Sequence, residues 1–537
     1  MRNAIILAAG KSTRFAPFTY EKPKGLFCVK GEILIERQIE QLRAAGIVEI
    51  IIVVGYMKEK FFYLEHKYPG LKLIVNNQFS QKGNLYSLYV AREYLNNSFI
   101  CCADHYFLNN PFVFPNPENK SWRACTYMEG KFREFSATVS DAEVITEMDI
   151  GGANSLAQVG CAYMNEKFSS KFKEYIEAEI NDFGIASMFW EEFYGKHIHN
   201  LSFYCRKFES KNIFEFESID DLRAFDSEFL VNIDSEIVDN ISKTLQCAPN
   251  DITNISVINA GLTNVSFGFD VNNVRYVYRH PGGTAGSLID RRSEQFAQFA
   301  ARDIGIDKSV IDMALEGWKI SYFVNEAQNC NFEMNEDHLI RGMKMLHLLH
   351  DVQVPDSAGV KIFDNVAEAK GLINIASATK GNLSREFKTL IDKVDLLYPA
   401  IKADAARLGY ELVLCHNDTY EPNYLYDDKD ELFLIDWEYA GMNYAANDIG
   451  CILCRYDWTD KQIERYLRFY VGHDLTQDEK RFYYAFIPIS AFYWFGWGLY
   501  KGSVGDDDSF FFLPAYHNLV RFIDRALESY GLSLNNN

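Results

Sequence analysis

The sequence has no apolar run approaching the roughly 20 residues that a membrane-spanning helix needs. It also has no Gly/Ser-rich or Pro-rich stretch of the kind that forms flexible linkers. Basic residues are outnumbered, since 54 Lys and Arg stand against 74 Asp and Glu and give a net charge of −20. This balance argues against nucleic acid or an anionic membrane surface as a partner. The 537 residues are enough for two or three globular domains.

The eleven cysteines form no regular disulfide framework. Cys451 and Cys454 have C-x-x-C spacing in an apolar helical context without a companion pair, which favours buried free thiols over a zinc site. The apolar run 4–9 is too short for a signal-peptide core and leads straight into a glycine turn, so we expect no export signal. We therefore expect a reducing, cytoplasmic location, and the oligomeric state stays open.

Strand-like and helix-like patterns alternate through the first hundred residues. Helix starts and stops, such as the glycine at position 46, separate the apolar runs. The alternation predicts an α/β domain with a doubly wound, Rossmann-like parallel sheet and a ligand beyond the carboxyl ends of its strands. The predicted strands are 3–9, 49–56, 72–76 and 98–103, and the predicted helices are 32–45, 58–68 and 84–95.

Residues suited to a nucleotide converge at that edge of the predicted sheet. The loop at Gly10 can offer backbone N–H groups to phosphates, and Arg14 can neutralise them. Lys24 brings a cation from a second loop, and Asp104 ends the fourth strand, where a carboxylate can reach a magnesium ion bound to the nucleotide. No histidine is placed to act as a base. This suits a phosphate nucleophile, which needs cations to quench repulsion and has no proton to lose.

The segments L-A-A-G-x-S-T-R-F, Pro23-Lys24 and the strand-terminal Asp104 resemble the nucleotidyltransferase family, specifically its bacterial CTP:phosphocholine cytidylyltransferase branch. The resemblance runs from Asn3 to about Asp226. It implies magnesium ligands, a triphosphate site and a base or ribose site. Asp104 and Glu217 would bind the metal, and Asn84 and Ser87 would bind the nucleoside. The residues implied for the triphosphate are Ala8, Ala9, Gly10, Arg14 and Lys24. Arg14 and Lys24 would also be catalytic.

Two of these implied roles have alternatives. Glu217 stands where the family has Asp, so Glu215 or Asp220 could be the second metal ligand, or the stretch could be an exposed acidic edge strand. Asn84 and Ser87 could simply start and cap a helix.

The stretch from about 105 to 210 breaks the regular alternation and mixes aromatic with charged residues, as a substrate-binding insertion would. A quaternary ammonium prefers aromatic faces, because it has no N–H donors and is poorly hydrated. Trp190 beside Glu191 is therefore a candidate for binding choline. The alternative is an amphipathic helix that packs Trp190 into the core.

A second chemical signature lies near the carboxyl end, where His416-Asn-Asp418 is followed by Asn423 and then by Ile-Asp436-Trp-Glu. Phosphoryl transfer from ATP uses one Asp to accept the proton of the substrate hydroxyl, while an Asn and a second Asp hold magnesium. Asp418, Asn423 and Asp436 fit these roles. The pattern resembles the choline kinase and aminoglycoside phosphotransferase superfamily, which implies an α+β, protein-kinase-like domain.

This second resemblance also implies binding residues. A strand–loop–strand containing Thr263 and Asn264 would cover the ATP phosphates, and Arg279 would clamp them with Glu294 as its ion-pair partner, unless that pair is only a surface salt bridge. An aromatic cage for choline would come from Trp437, Trp494 and Trp497. Core packing is the alternative for each of the three.

Together the two halves predict a bifunctional enzyme, with domains 1–229 and 230–537. The kinase would make phosphocholine from choline and ATP, and the nucleotidyltransferase would join it to CTP, with Mg²⁺ at both sites. The predicted partners are therefore small molecules: choline, ATP, CTP and phosphocholine. The rivals are the same steps on ethanolamine, a sugar-nucleotide pyrophosphorylase fused to a small-molecule kinase, and a binding protein with an inactive kinase half.

Overall fold

The computed structural model describes residues 2–113, 115, 119–258, 264–281, 289–380, 384–505 and 509–534. The chain forms two compact units. The first contains Met1–Val257 and Asp270–Asn272, and the second contains Ile258–Phe269 and Asn273–Asn537. No helix within these described ranges is both long and apolar enough to cross a membrane.

The first unit is an α/β fold. Its strands are Arg2–Ala8, Cys28–Val29, Glu32–Ile33, Ile50–Val54, Leu71–Val75, Asn97–Cys102, His105–Phe107, Trp122–Val139, Ile145–Glu147, Ile150–Met164, Tyr204–Phe208 and Ile213–Glu215. Its helices are Leu34–Ala44, Tyr63–Lys67, Asn84–Val90, Glu166–Glu179, Phe183–Ala186, Trp190–Lys196, Ile219–Phe225, Phe229–Asn232 and Glu236–Leu245.

Four parallel strands form the centre of the main sheet, in the order Asn97–Cys102, Arg2–Ala8, Ile50–Val54, Leu71–Val75. Ile50–Val54 is buried along its whole length, as expected for a parallel strand covered on both faces. This part confirms the predicted Rossmann-like sheet. The long strand Ile150–Met164 then joins Asn97–Cys102 antiparallel and makes the whole sheet mixed.

The stretch that broke the predicted alternation supplies this antiparallel part. Trp122–Val139 pairs antiparallel with Ile150–Met164, and Tyr204–Phe208 pairs parallel with Trp122–Val139 at the edge of the sheet. Residues after 102 therefore extend the sheet, and the helices between 166 and 196 pack against it.

Residues 230–257 pack with the first unit. Phe229, Leu230, Ile237, Val238 and Ile241 are all buried. The predicted boundary at 229/230 for the two activities stays a prediction, while the packing of the chain divides near Val257.

The second unit has short strands and long helices. The division between the two units falls within the strand Thr253–Ile258. The strands that follow it are Asn264–Val271, Val274–Pro281, Val310–Met313, Lys319–Tyr322, Gln328–Asn329, Val413–Cys415, Tyr424–Tyr426, Leu432–Leu434 and Gly441–Asn443. Its helices are Arg291–Asp303, Glu336–His350, Asn365–Lys380, Arg385–Leu408, Ala445–Leu453, Asp460–Val471, Gln477–Ser503 and Ser509–Ser529.

The second unit combines an antiparallel sheet with a helical core. Val274–Pro281 pairs with Lys319–Tyr322, which pairs in turn with Val310–Met313. The helix Gln477–Ser503 begins with charged residues and is then buried on all sides from Ala485 to Gly498, as in the centre of a large helical core. The polar loop that contains Asp418 lies between the strand Val413–Cys415, which pairs with Gly441–Asn443, and the hairpin formed by Tyr424–Tyr426 and Leu432–Leu434.

Candidate active sites

A cavity of about 720 Å³ opens at the carboxyl ends of the parallel strands in the first unit. Its position matches the rule for ligands of open α/β sheets. Among the predicted site residues, it is lined by Ala8, Ala9, Gly10, Arg14, Lys24, Asn84, Ser87, Asp104, Glu191 and Glu217.

Lys24 and Asp104 form the polar centre of this cavity. Lys24 Nζ donates to Asp104 Oδ2 at 3.0 Å and to the backbone oxygen of Phe216 at 2.7 Å, and it lies 4.2 Å from the centre of the Phe15 ring. Burial opposes ionisation of Asp104, but Lys24 and His105 outweigh it and lower the pKa of that carboxyl. Asp104 is therefore an ionised carboxylate beside a buried cation at neutral pH.

The acidic stretch near 215 contributes two carboxylates to the cavity wall. Glu217 forms an ion pair with Arg14. Glu215 accepts from His105 Nε2 at 3.0 Å, so it is engaged with a neighbour of Asp104. Asp220 lies in the first turn of the helix Ile219–Phe225. Of the three alternatives, Glu217 and Glu215 line the cavity.

Asn84 and Ser87 start a helix and also line the cavity. Asn84 Oδ1 accepts from the backbone N–H of Trp190 at 2.7 Å, and Ser87 Oγ accepts from Asn76 Nδ2 at 3.1 Å. The preceding Gly83 is required by close packing, because a Cβ there would lie 2.1 Å from the backbone oxygen of Met188. Asn84 thus ties the cavity wall to the helix that begins at Trp190.

In the second unit, the structure brings Asp418, Asn423 and Asp436 together. Asn423 Nδ2 donates to Asp418 Oδ2 at 3.0 Å and to the Asp418 backbone oxygen at 2.9 Å. The Asn423 backbone oxygen accepts from Ile435 N–H at 2.9 Å, which places Asp436 beside the loop. Asp436 has φ +67°, a left-handed conformation that is uncommon outside glycine and often found at functional sites.

Asp418 has the properties of a general base. Burial raises its pKa to about 7, with Asp436 adding to the shift and Arg455 opposing it. Its Oδ1 is buried and has no hydrogen-bond partner among the described residues. A carboxyl poised near neutral pH with one unengaged oxygen is suited to accept a proton from a substrate hydroxyl.

A strand cation and a helix carboxylate meet in the same unit. Arg279, on Val274–Pro281, lies 2.5 Å from Glu294, at the start of Arg291–Asp303, and Arg291 contacts the other oxygen of Glu294 at 2.6 Å. Glu294 is almost fully buried, and the two guanidinium groups outweigh burial and lower its pKa. The pair is therefore a buried one rather than a surface salt bridge. Thr263 lies outside the described residues, and of Asn264 only the backbone strand is described.

Two different protein families match the two halves of the chain. Residues 4–114 match the family described as MobA-like NTP transferase domain, and residues 255–488 match the family described as choline/ethanolamine kinase. The chain is 33% identical over 233 residues to a 2-aminoethylphosphonate cytidylyltransferase of Lancefieldella rimae, covering 42% of this chain and 93% of that protein. It is 33% identical over 229 residues to a choline-phosphate cytidylyltransferase of Streptococcus pneumoniae, covering 43% and 98%.

The chain belongs to the MobA-like NTP transferase family in its first half and to the choline/ethanolamine kinase family in its second. Among solved structures, the choline kinase LicA from Streptococcus pneumoniae aligns with a TM-score of 0.41 at 19% identity, over 55% of this chain and 97% of that one. The two family matches indicate a nucleotidyltransferase and a phosphotransferase in one polypeptide, and together with the observed strands and helices they confirm the fold predicted for each half.

In the kinase domain, the buried Asp448 holds the loop that contains Asp418. Asp448 accepts from the backbone N–H groups of His416, at 2.9 Å, and Asn417, at 2.7 Å. His350 Nε2 contacts the same carboxylate at 3.0 Å. His350 is the last residue of the helix Glu336–His350. Its partners lie about a hundred residues away, so no local signal could reveal them.

The three tryptophans of the predicted choline cage are all buried. Trp437 packs against His416 at 4.6 Å and donates from Nε1 to the backbone oxygen of Leu434 at 3.1 Å, so it braces the loop from within the core. The guanidinium of Arg455 lies 4.4 Å from the Trp494 ring centre. Trp497 Nε1 lies 3.2 Å from the Tyr439 hydroxyl. Trp437 therefore has the alternative role, which is core packing. Trp494 and Trp497 belong to one aromatic cluster with Tyr439.

The nucleotidyltransferase cavity also differs from the expectation for Trp190. Trp190 is 1% exposed and packs in the core, edge-on to Phe203, because the helix it begins turns this side chain inward. Glu191, next in sequence, does line the cavity, where Arg123 Nη2 lies 3.3 Å from it. Two phenylalanines, Phe135 and Phe189, line the same cavity.

Proposed function

We propose that the kinase domain phosphorylates choline with ATP and that the nucleotidyltransferase domain then transfers CMP from CTP to phosphocholine, giving CDP-choline and pyrophosphate. The observation that carries this proposal is the contrast between the two sites. One holds a carboxyl with a pKa near 7 and an unengaged oxygen, and the other centres on a buried lysine beside an ionised aspartate. Two of the matches, a choline-phosphate cytidylyltransferase and the choline/ethanolamine kinase family, supply the choline chemistry. The joining of both domains in one chain makes the product of the first reaction the substrate of the second.

In the kinase reaction, Asp418 takes the proton of the choline hydroxyl as its oxygen attacks the γ-phosphorus of ATP. Asn423 fixes the Asp418 carboxylate through the 3.0 Å hydrogen bond, and Asp448 fixes the loop backbone. Arg279, anchored by Glu294, neutralises phosphate charge on the nucleotide. Positioning and charge neutralisation supply most of the rate enhancement in phosphoryl transfer.

In the cytidylyl reaction, a phosphate oxygen of phosphocholine attacks the α-phosphorus of CTP, and pyrophosphate leaves. The second pKa of a phosphomonoester is about 6, so this nucleophile is already charged at neutral pH and needs no base. Lys24 and Arg14 quench the repulsion between two anions, and the loop at Gly10 offers backbone N–H groups. The His105 imidazole is engaged by Glu215 and is not required as a base.

We propose that Mg²⁺ is bound at both sites. The donor sets fit a hard cation, because they consist of carboxylate and amide oxygens. In the nucleotidyltransferase the ligands would be Asp104 and Glu217, and in the kinase they would be Asn423 and Asp436. When bound, the ion would neutralise charge on the nucleotide phosphates.

We assign the trimethylammonium group of phosphocholine to the cavity wall that contains Phe135 and Phe189. Aromatic faces attract a cation that has no N–H donors. Glu191 is already paired with Arg123, so it offers little to a primary ammonium that would need unshared acceptors. Ethanolamine remains the second candidate, favoured by the matched description of a choline/ethanolamine kinase.

A product assay tests the proposal. Purified protein is given choline, ATP, CTP and Mg²⁺, and products are identified by mass spectrometry, with equimolar ethanolamine in a competing arm. CDP-choline should form only when both nucleotides are present. CDP-ethanolamine as the main product would select the second candidate. The absence of any CDP-alcohol product would refute both candidates.

We place both reactions in the cytoplasm, because all eleven cysteines are free thiols.

A further inference from the structure

The loop that carries Lys24 is held from outside the cavity by residues 226–237, which we call the connecting segment. Phe229 is fully buried between the two ends of the loop, 5.9 Å from the Phe18 ring and 5.9 Å from the Phe27 ring. Asp226 Oδ2 accepts from the backbone N–H of Lys30 at 2.6 Å, just beyond the loop. The segment therefore lies along the whole loop.

Two charged side chains at the tip of the loop reach the same segment. Lys22 Nζ donates to the backbone oxygens of Ile233, at 2.8 Å, and Asp234, at 2.6 Å. Glu21 accepts from the Ser235 hydroxyl and, at 3.0 Å, from the backbone N–H of Ile237. A carboxylate at the first turn of the helix Glu236–Leu245 also interacts favourably with the helix dipole.

We infer that Glu21 and Lys22 are positioning residues for cytidylyl transfer, and that they hold Lys24 in register through the connecting segment. Lys24 is two residues from Lys22, and Pro23 between them has a restricted φ, so a shift at Lys22 passes directly to Lys24. On the inner side, a Cβ at Gly25 would lie 2.8 Å from Ala103 Cβ, so the loop has little room to move there. This inference rests on the role proposed above for Lys24.

The consequence is that the chain leading towards the kinase domain is part of the support for the nucleotidyltransferase site. An active site loses rate steeply when a reacting group is displaced, by roughly a hundredfold for about 1 Å. Loss of the contacts at Lys22 should therefore lower kcat for cytidylyl transfer more than it raises KM for CTP.

Full-length Lys22→Met and Asp234→Asn make a matched pair for the test. Lys22→Met removes the donor to both backbone oxygens. Asp234→Asn removes only a charge, because the Asp234 side chain is fully exposed, lies 3.5 Å from Lys22 and has a left-handed backbone that Asn tolerates. Lys22→Arg keeps donors for both oxygens, and Ser235→Ala removes one partner of Glu21 in a milder way.

Two measurements are made on each variant. Hydrogen exchange of peptides covering residues 20–27 should speed up about tenfold or more in Lys22→Met and stay at the wild-type rate in Asp234→Asn. The kcat for CDP-choline formation from added phosphocholine should fall about ten- to a hundredfold in Lys22→Met, with KM for CTP within about twofold, and Lys22→Arg should restore most of it. Choline phosphorylation by the same samples reports that the kinase domain is intact, and a wild-type exchange rate for the buried strand Ile50–Val54 reports that the first unit is folded.

Unchanged exchange and unchanged kcat in Lys22→Met would overturn the inference, as would equal effects in Asp234→Asn. Wild-type protein that forms no CDP-choline would refute the proposed function instead. In that case the exchange comparison alone still decides whether Lys22 holds the loop.

Discussion

Asn423 donates from one amide nitrogen to both the side chain and the backbone of Asp418, at 3.0 and 2.9 Å. The side chain proposed to bind the metal therefore also holds the proposed base in position. The donor nitrogen faces Asp418, which leaves the amide oxygen of Asn423 available to a cation. Proton acceptance and nucleotide binding in the kinase domain should therefore depend on the same loop geometry.

Asp418→Ala should lower kcat for choline phosphorylation by about 10²–10⁴-fold, because the base is lost. Formation of CDP-choline from added phosphocholine should be unchanged, since Asp418 lies in the other unit. Radiolabelled choline and phosphocholine, assayed separately, check both outcomes. Loss of both activities in folded protein would contradict the assignment of separate sites.

The pH dependence of the kinase follows from the raised pKa of Asp418, about 7. Below that pH the carboxyl is protonated and cannot accept the choline proton, so kcat/KM for choline should fall about tenfold per pH unit and level off above it. Cytidylyl transfer should keep its rate down to about pH 6, where the phosphate of phosphocholine becomes protonated. Coinciding acid limbs for the two reactions would contradict a base role for Asp418.

Lys24→Met should lower kcat for cytidylyl transfer by about 10²–10³-fold, because a buried cation beside the reacting phosphates is removed. Wild-type hydrogen exchange of the buried strand Ile50–Val54 serves as the folding control for the first unit. Arg14→Met, which breaks an exposed ion pair with Glu217, should cost less. A larger loss in Arg14→Met than in Lys24→Met would reverse the proposed order of importance.

Glu294→Ala should destabilise the kinase domain by roughly 3–5 kcal/mol, because the buried guanidinium of Arg279 and the partly buried one of Arg291 lose their shared carboxylate. Glu294→Gln keeps an acceptor and should cost less. Urea unfolding followed by tryptophan fluorescence gives both values. An equal, small effect in the two variants would show that the charge of Glu294 is unimportant for stability.

Phe135→Ala and Phe189→Ala should each raise KM for phosphocholine by about three- to tenfold, the equivalent of roughly 0.5–1.5 kcal/mol of cation–π attraction. KM for phosphoethanolamine should change less, because a primary ammonium depends on acceptors. Steady-state kinetics with both substrates provide the check. Equal effects on the two substrates would place the ammonium elsewhere.

The helices and strands that depend on local sequence patterns could be predicted. Apolar runs alternating with helical patterns predicted the four parallel strands, and the predicted helix 32–45 is observed as Leu34–Ala44. The long pair Trp122–Val139 and Ile150–Met164 was missed, because its strands bulge repeatedly and carry no clean alternation of apolar and polar residues.

Side-chain direction was the main limit on predicting the sites. In the sequence, a tryptophan on a helix is equally consistent with core packing and with a ligand-binding cage. Which of the two it adopts depends on residues that are distant in the chain. Trp190 turned inward towards Phe203, while Phe135 and Phe189 line the cavity. The positions of the loop cation Lys24 and the strand-terminal Asp104 were easier to predict, because a charged side chain is costly to bury without a partner and a polar cleft supplies one.

The packing of Phe229 between Phe18 and Phe27 bears on how the two enzymes can be produced separately. A recombinant fragment stopping at residue 229 would end on this side chain and would lack the carbonyls that receive Lys22. A fragment extended to residue 257 retains the entire support and is the better choice for crystallisation or for isolated kinetics.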